Sequence, residues 1–456
     1  MGPGRGGTGP REALGPREGE RRLSDGKKLG ATVDTPWGEA SALKQRRLYP
    51  GAGTPPEEVA RNQRERLFGA VVAVASQEGY EAMTVADLLA LSGVSRSAFY
   101  KHFANKAECL AAASEALLEP TLTSLVEVRR RGGGPEAIFE AFIGLVCSQP
   151  AAARVCFVEL QAAGEEGEET ADRGFESVAR LFEEAIAETP GWEQISPELI
   201  RVLLGGLRKM IHTRLYRGEA GELESLGPET WRWLRSVRPP PRPLEAARRQ
   251  RSGGGAPFEG YTPAERIARA VAGLVAEKGY GAMSTDDIAT RAAISLSTFY
   301  EHFTDKRDAV LGALEMSGAQ IMALAVPAAR RAGNWQEGVR ALYEAMCAYF
   351  IAEPAMAHLA MVGVYGAGPR ALARRDRVID SLTAMTVPGF HANPEAPAVS
   401  AEAIGASVYA LMREQVRSKG AEGLVGIVPL ATYITLVGFV GPEQACAVAN
   451  GEGRRR

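Results

Sequence analysis

The sequence predicts an all-α protein made of two fused copies of one module. Each copy is a three-helix helix-turn-helix domain followed by a larger helical domain. Three observations lead there. Residues 94–110 and 294–311 overlay without a gap at a shift of 200 positions. Apolar residues recur at helical spacing around both segments, and no stretch sustains two-residue alternation. The period of about 200 residues is that of a duplicated module, not of a short solenoid repeat.

Taken in order, residues 1–58 are rich in Gly, Pro, Arg and Glu, and the expectation is a disordered tail. The first helix-turn-helix domain is placed at 59–111. Leu67, Val71, Val74 and Ala75 mark one helix face, as do Ile267, Val271, Leu274 and Val275 in the second copy. Gly79 and Gly279 end those helices. Thr84-x-x-Asp87 and Ser284-x-x-Asp287 begin a short second helix as capping pairs. Gly93 breaks it, Ser95 and Ser295 cap a third helix, and Asn105 and Asp305 cap a fourth. A larger helical domain fills 112–237. A Pro/Arg/Gly linker is expected at 238–260. The second helix-turn-helix domain takes 261–312, the second larger helical domain 313–449, and a tail 450–456. Beyond residue 111 the two copies echo each other at an offset nearer 204.

Two short helices joined by a tight turn form a DNA-reading unit. On the third helix Phe99 and Phe103 share the inward face. Arg96, Ser97, Tyr100 and Lys101 lie on the faces left for a groove. Tyr100 and Tyr300 are read as phosphate-side donors, which position without reading sequence, and Thr84 and Ser284 are counted among the DNA-binding residues. Lys106 and Lys306 follow a helix cap and are expected to hold a phosphate there. His102 and His302 are either structural or phosphate contacts. In the second copy the corresponding reader set is Ser295, Leu296, Ser297, Thr298 and Tyr300.

The run T-x-x-D-L-x-x-x-x-G-V-S-x-S-x-F-Y-x-H-F-x-x-K, starting at Thr84, resembles the DNA-binding domain of the tetracycline-repressor (TetR) family. The resemblance spans 61–110 and 262–312. It implies helical ligand-binding and dimerisation domains at 112–237 and 313–449, and a repressor that leaves double-stranded DNA when a small molecule binds. The tandem, single-chain form is the closest match. The helices around 198–217 and 401–418, with the segments after Pro228 and Pro429, would then occupy the family's dimer-forming position and pack together as a pseudo-dimer within one chain, with a higher homo-oligomer left open.

The copies diverge at two places that matter. Gly93 is replaced by Ala293, which costs about 1 kcal/mol if the turn needs a positive φ. Arg96, able to grip a guanine edge, faces Leu296, which can touch only a methyl. Residues 61–108 carry one net positive charge and 262–308 one net negative. An asymmetric operator is the expectation, since fused heads need not be identical.

Tyr343, Met346, Phe350, Met361 and Tyr365, with Phe142 and Phe157 in the first copy, are candidates for an apolar ligand pocket, although the same spacing describes ordinary core. Net charge is −2, so DNA contact must come from local patches. The five cysteines and five histidines show no metal-ligand spacing, and neither a metal nor another cofactor is expected. No catalytic constellation repeats, which argues against an enzyme. The run LATYITLVGFVG is too short to span a bilayer, the first residues lack a signal peptide's apolar stretch, and a cytoplasmic protein is expected. The competing reading is a small-molecule sensor in which one or both DNA-binding heads have degenerated.

Overall fold

The computed structural model describes residues 33–245 and 261–452, apart from 50, 52 and 193. A two-residue antiparallel ribbon, β1 (Asp34–Thr35) with β2 (Gly38–Glu39), precedes the first helix. The first head is α1 (Pro56–Glu78), α2 (Val85–Ser92) and α3 (Arg96–His102). Its helical half follows as α4 (Lys106–Arg130), α5 (Pro135–Ser148), α6 (Pro150–Arg154), a π-helical turn (Val155–Glu159), α7 (Leu160–Ala162), α8 (Glu165–Ala187), α9 (Pro197–Arg217) and α10 (Glu222–Ser236). The second head is α11 (Pro263–Ala282), α12 (Thr285–Ala292) and α13 (Leu296–His302). The second half comprises α14 (Lys306–Arg330), α15 (Trp335–Ala352), α16 (Pro354–Met361), α17 (Pro369–Thr383), α18 (Val387–Ala392), α19 (Ser400–Lys419), α20 (Val428–Val440) and α21 (Pro442–Ala449).

Helix ends follow from local chemistry. Thr84 and Asp87 exchange two hydrogen bonds, at 3.2 and 2.9 Å, and Ser284 with Asp287 repeats the box at 3.1 and 2.8 Å. Gly93 ends α2 in the left-handed region at φ 66°. Ala293 ends α12 at φ 52°, the one non-glycine residue with positive φ among the described residues. The second turn therefore keeps the conformation and carries the strain.

Residues 33–49 correct the expectation of a disordered tail through residue 58; residues 1–32 lie outside the described residues. Leu43 is fully buried against α1. It fits because α1 has Gly69 there, where a Cβ would come within 2.8 Å of the leucine. Trp37 stacks obliquely on Phe68, 5.3 Å between centroids. Asn62 ties the segment down by donating to the Arg46 carbonyl at 3.0 Å.

The expected 238–260 linker is also partly fixed. Tyr433 donates to the Arg238 carbonyl at 2.7 Å, and Asn450 donates to Pro243 O at 3.1 Å and accepts from Glu245 N at 2.8 Å. Residues 238–245 thus belong to the packed second half, and Asn450, expected as tail, is buried. Residues 246–260 and 453–456 fall outside the described set.

The halves meet along α9 and α19. A Cβ on Gly206 would lie 2.1 Å from Ser407 Oγ and 2.9 Å from its Cα, so glycine here permits a backbone approach no other residue would. Around this seam Lys209 pairs with Asp376 at 3.0 Å, Arg417 with Asp172 at 2.5 Å, and Arg214 with Glu402. Trp233 and Val237 of the first half enter the same apolar cluster as Tyr433, Leu436 and Phe350 of the second. The segment 421–440 is longer and more apolar than the 12-residue run alone suggests, and it and α14 match a membrane span in length and composition. Within this fold, 67% of the 421–440 window is buried by other helices.

Candidate nucleic-acid interface and ligand cavities

The reader helices are positioned from inside. Phe99 and Phe299 are fully buried, so each helix turns its opposite face outward. Ser95 accepts from Ala98 N at 3.2 Å, and Ser295 from Thr298 N at 3.0 Å, which fixes where each helix starts. On the outer face of α3, Arg96, Ser97, Tyr100 and Lys101 are all exposed, with the Arg96 guanidinium 5.6 Å from the Tyr100 ring centre. On α13, Leu296, Ser297, Tyr300 and Glu301 are exposed, and Thr298 is half-buried with its hydroxyl 2.9 Å from Ser295 Oγ. The first reader thus presents two cations and no acid. The second presents an acid and an exposed leucine.

The lysines after the caps do something other than what their position in sequence implies. Lys106 Nζ donates to the carbonyls of Tyr80, Glu81 and Met83 at 2.8, 3.2 and 2.9 Å. Lys306 does the same with Tyr280, Gly281 and Met283 at 3.3, 3.3 and 2.9 Å. All three ammonium donors are used, so the phosphate role expected for both is corrected: they staple the residues closing α1 and α11 to the starts of α4 and α14. Partial burial holds the Lys106 ammonium below its usual value. His102 is likewise engaged, its Nε2 3.0 Å from Gln63 Oε1, and burial followed by Arg64 and Lys101 lowers its pKa. His302 is exposed. The Thr84 and Ser284 hydroxyls each donate to their capping aspartate at 2.6 Å, leaving an exposed oxygen rather than a free donor.

The sequence offered Lys44, Arg46 and Arg47 as an arm able to enter a minor groove, but not the packing of the segment that carries them. Lys44, Arg46 and Arg47 are exposed on the segment that packs beside the reader turn, with the Lys44 side chain lying where a Cβ on Gly93 would be 3.0 Å away. The pattern Val33, Trp37, Leu43 was the available signal.

The pocket candidates separate into three places. Phe142 and Phe157 border a cavity of about 560 Å³ in the first half, with Leu117, Cys156, Ala171 and Phe175 also lining it. Tyr343, Met346, Phe350 and Met361 border a space of about 90 Å³ in the second. Tyr365 departs from that group: it lies in the seam, beside His212, Arg413 and Tyr409, on a cavity of about 420 Å³ with several charged side chains in its walls. Burial raises the Tyr365 hydroxyl, and Arg375, Arg413 and Lys209 more than reverse that, to about 8.

Residues 68–113 and 267–312 both match the family model described as bacterial regulatory proteins, tetR family. The chain is a tandem TetR-family protein. As such it is a DNA-binding transcriptional regulator. Among solved structures it is similar to the fatty acid degradation regulator FadR from Bacillus halodurans, at 14% identity over 40% of this chain and 99% of that one, TM-score 0.36. It is also similar to the TetR-family regulator PfmR from Thermus thermophilus, at 23% identity over 40% and 97%, TM-score 0.32. A third is a TetR-family regulator from Marinobacter aquaeolei, at 18% identity over 39% and 94%, TM-score 0.31. No curated protein matches the chain.

Proposed function

We propose that this TetR-family chain is a repressor that reads an asymmetric operator and is released by a small, largely apolar molecule. The observation that carries this reading is the pair of exposed reader helices with unlike outer faces, Arg96 and Lys101 on one and Leu296 and Glu301 on the other. A planar guanidinium at the first turn of α3 suits two hydrogen bonds to a guanine edge. Leu296 suits a thymine methyl. One half-site is therefore read by hydrogen bonds and charge, the other by shape and apolar contact. The effector reading is supported by the 560 Å³ first-half cavity, whose size is that of a small-molecule site and whose walls are mainly hydrocarbon.

Selection from a random duplex pool, followed by footprinting, tests the reading. Arg96→Ala is expected to cost about 1–3 kcal/mol and relax specificity in one half-site only. Lys101→Ala is expected to weaken all sequences alike and flatten the salt slope by about one. Equal loss at both half-sites after Arg96→Ala removes the asymmetric reading. A second reading, a sensor whose second head has lost its DNA contact, draws on Glu301, which faces outward where phosphates would lie. It predicts a footprint one half-site long.

A further inference from the structure

The two cavities occupy matching places, and different side chains border them. At the 204-residue offset, Ala171, Gly174 and Val146 of the first half stand where the second half has Arg375, Val378 and Phe350, and Gly205 stands where it has Tyr409. Ala171, Gly174 and Val146 line the 560 Å³ cavity. Arg375, Val378, Phe350 and Tyr409 line the 90 Å³ remnant. Each exchange replaces a small side chain by a larger one, so the second cavity is filled from within.

The filling is held in place chemically. Arg375, only 4% exposed, donates through Nη1 to the Tyr409 hydroxyl at 3.0 Å and through Nε to Asp376 at 3.0 Å. Tyr409 in turn donates to the Met361 carbonyl at 3.2 Å. The guanidinium lies 4.8 Å from the Tyr409 ring centre and 5.1 Å from that of Tyr365. A ligand entering the second half would have to strand this charge away from its partners, which apolar contact does not offset.

We propose that the chain binds one effector, in the first half, and that Arg375 with Tyr409 is the permanent occupant of the second. This rests on the reading of the first cavity as an effector site. It makes the regulator respond through a single site, with no cooperativity between like sites. The first-half site takes a molecule with an apolar body.

The probe is anilinonaphthalene sulfonate, titrated into the full chain by calorimetry, with folding checked by circular dichroism. The unmodified chain is expected to take up one equivalent, and R375A/Y409A two. Asp376 keeps Lys209 as a partner in that variant. The converse variant, A171R, puts an arginine into the open cavity and is expected to weaken binding at least tenfold, independently of whether the double variant folds. Two equivalents in the unmodified chain, or unchanged binding in A171R, overturn the proposal. No equivalent in the unmodified chain and one in R375A/Y409A sinks the first-cavity reading while upholding the plug. An unchanged count in folded R375A/Y409A overturns the plug.

Discussion

The two heads are stapled alike by lysine, yet the turn after each head's first long helix meets its helical half by different chemistry. In the first half Glu159, on the π-helical turn, accepts from Tyr80 N at 2.8 Å and pairs with Arg154 at 2.9 Å, so a buried carboxylate links the turn after α1 to the cavity wall. At the 204-residue offset the second half has Gly363, packed so closely on α11 that a Cβ would lie 2.3 Å from Val275 Cγ1. At this position one joint is an ion pair with a backbone hydrogen bond, and the other is an apolar contact of backbone on side chain; the second head's ion pair lies elsewhere, between Arg269 of α11 and Glu353. The duplication therefore kept what shapes a head and let change what connects it. The connected carboxylate shares its turn with Cys156 and Phe157, which border the open cavity. The apolar joint belongs to the half whose cavity is filled.

The largest expected effect breaks this contrast. Glu159→Ala leaves the Tyr80 amide without its acceptor and Arg154 without a counter-charge, holding only the Leu215 and Tyr216 carbonyls, and is expected to cost about 3 kcal/mol in chemical denaturation. A loss under about 1 kcal/mol means that the first joint is no more polar in effect than the second. Lys106→Met is expected to cost about 2 kcal/mol, because three carbonyls lose a charged donor, and to leave the salt slope of DNA binding unchanged. Lys306→Met gives the equivalent loss if the staples are true equivalents. A slope that flattens instead restores the phosphate role.

The seam supplies a pH test. Burial, with Lys209 and Arg375 close by, holds the His212 imidazole well below its usual value, against the opposing pull of Asp376. A histidine kept neutral in the fold but free to charge when unfolded gives stability that is whole above about pH 6.5 and declines below it, by up to about 1.4 kcal/mol per pH unit. The second half has Val416 at the matching position. His212→Val makes the seam symmetric and is expected to remove that part of the decline in melting temperature between about pH 6.5 and 5. The smallest effect concerns the turns. Ala293→Gly relieves a residue held at φ 52° and is expected to add about 0.5–1 kcal/mol. Gly93→Ala is expected to lose at least as much, since the new Cβ also meets Lys44.

Much of each head was legible in sequence because its signals are local. Thr84 with Asp87, Ser95, Asn105 and the turn glycine act within a few residues of where they stand, and Ala293 showed its strain once the turn was recognised. Lys106 misled because its acceptors at Tyr80–Met83 lie more than twenty residues back, so that its neighbours in sequence described a cap and not the ammonium's own bonds. The hairpin at 34–39 is too short for periodicity to register, and Leu43 gains its place only through Gly69. The cavity aromatics were found at helical spacing. Which cavity is open depends on Arg375 and Tyr409, polar residues that no apolar pattern picks out, and Tyr365 went to the seam because Arg413 and His212 gather there.

The pinned segment 238–245 carries a last consequence. Two separate polypeptides find each other at a rate set by their abundance, and part again on dilution. Here the close meeting of α9 with α19 is reached by one strand folding back on itself, so dilution does not separate the two. A cell holding a handful of such molecules keeps the two halves of each one together.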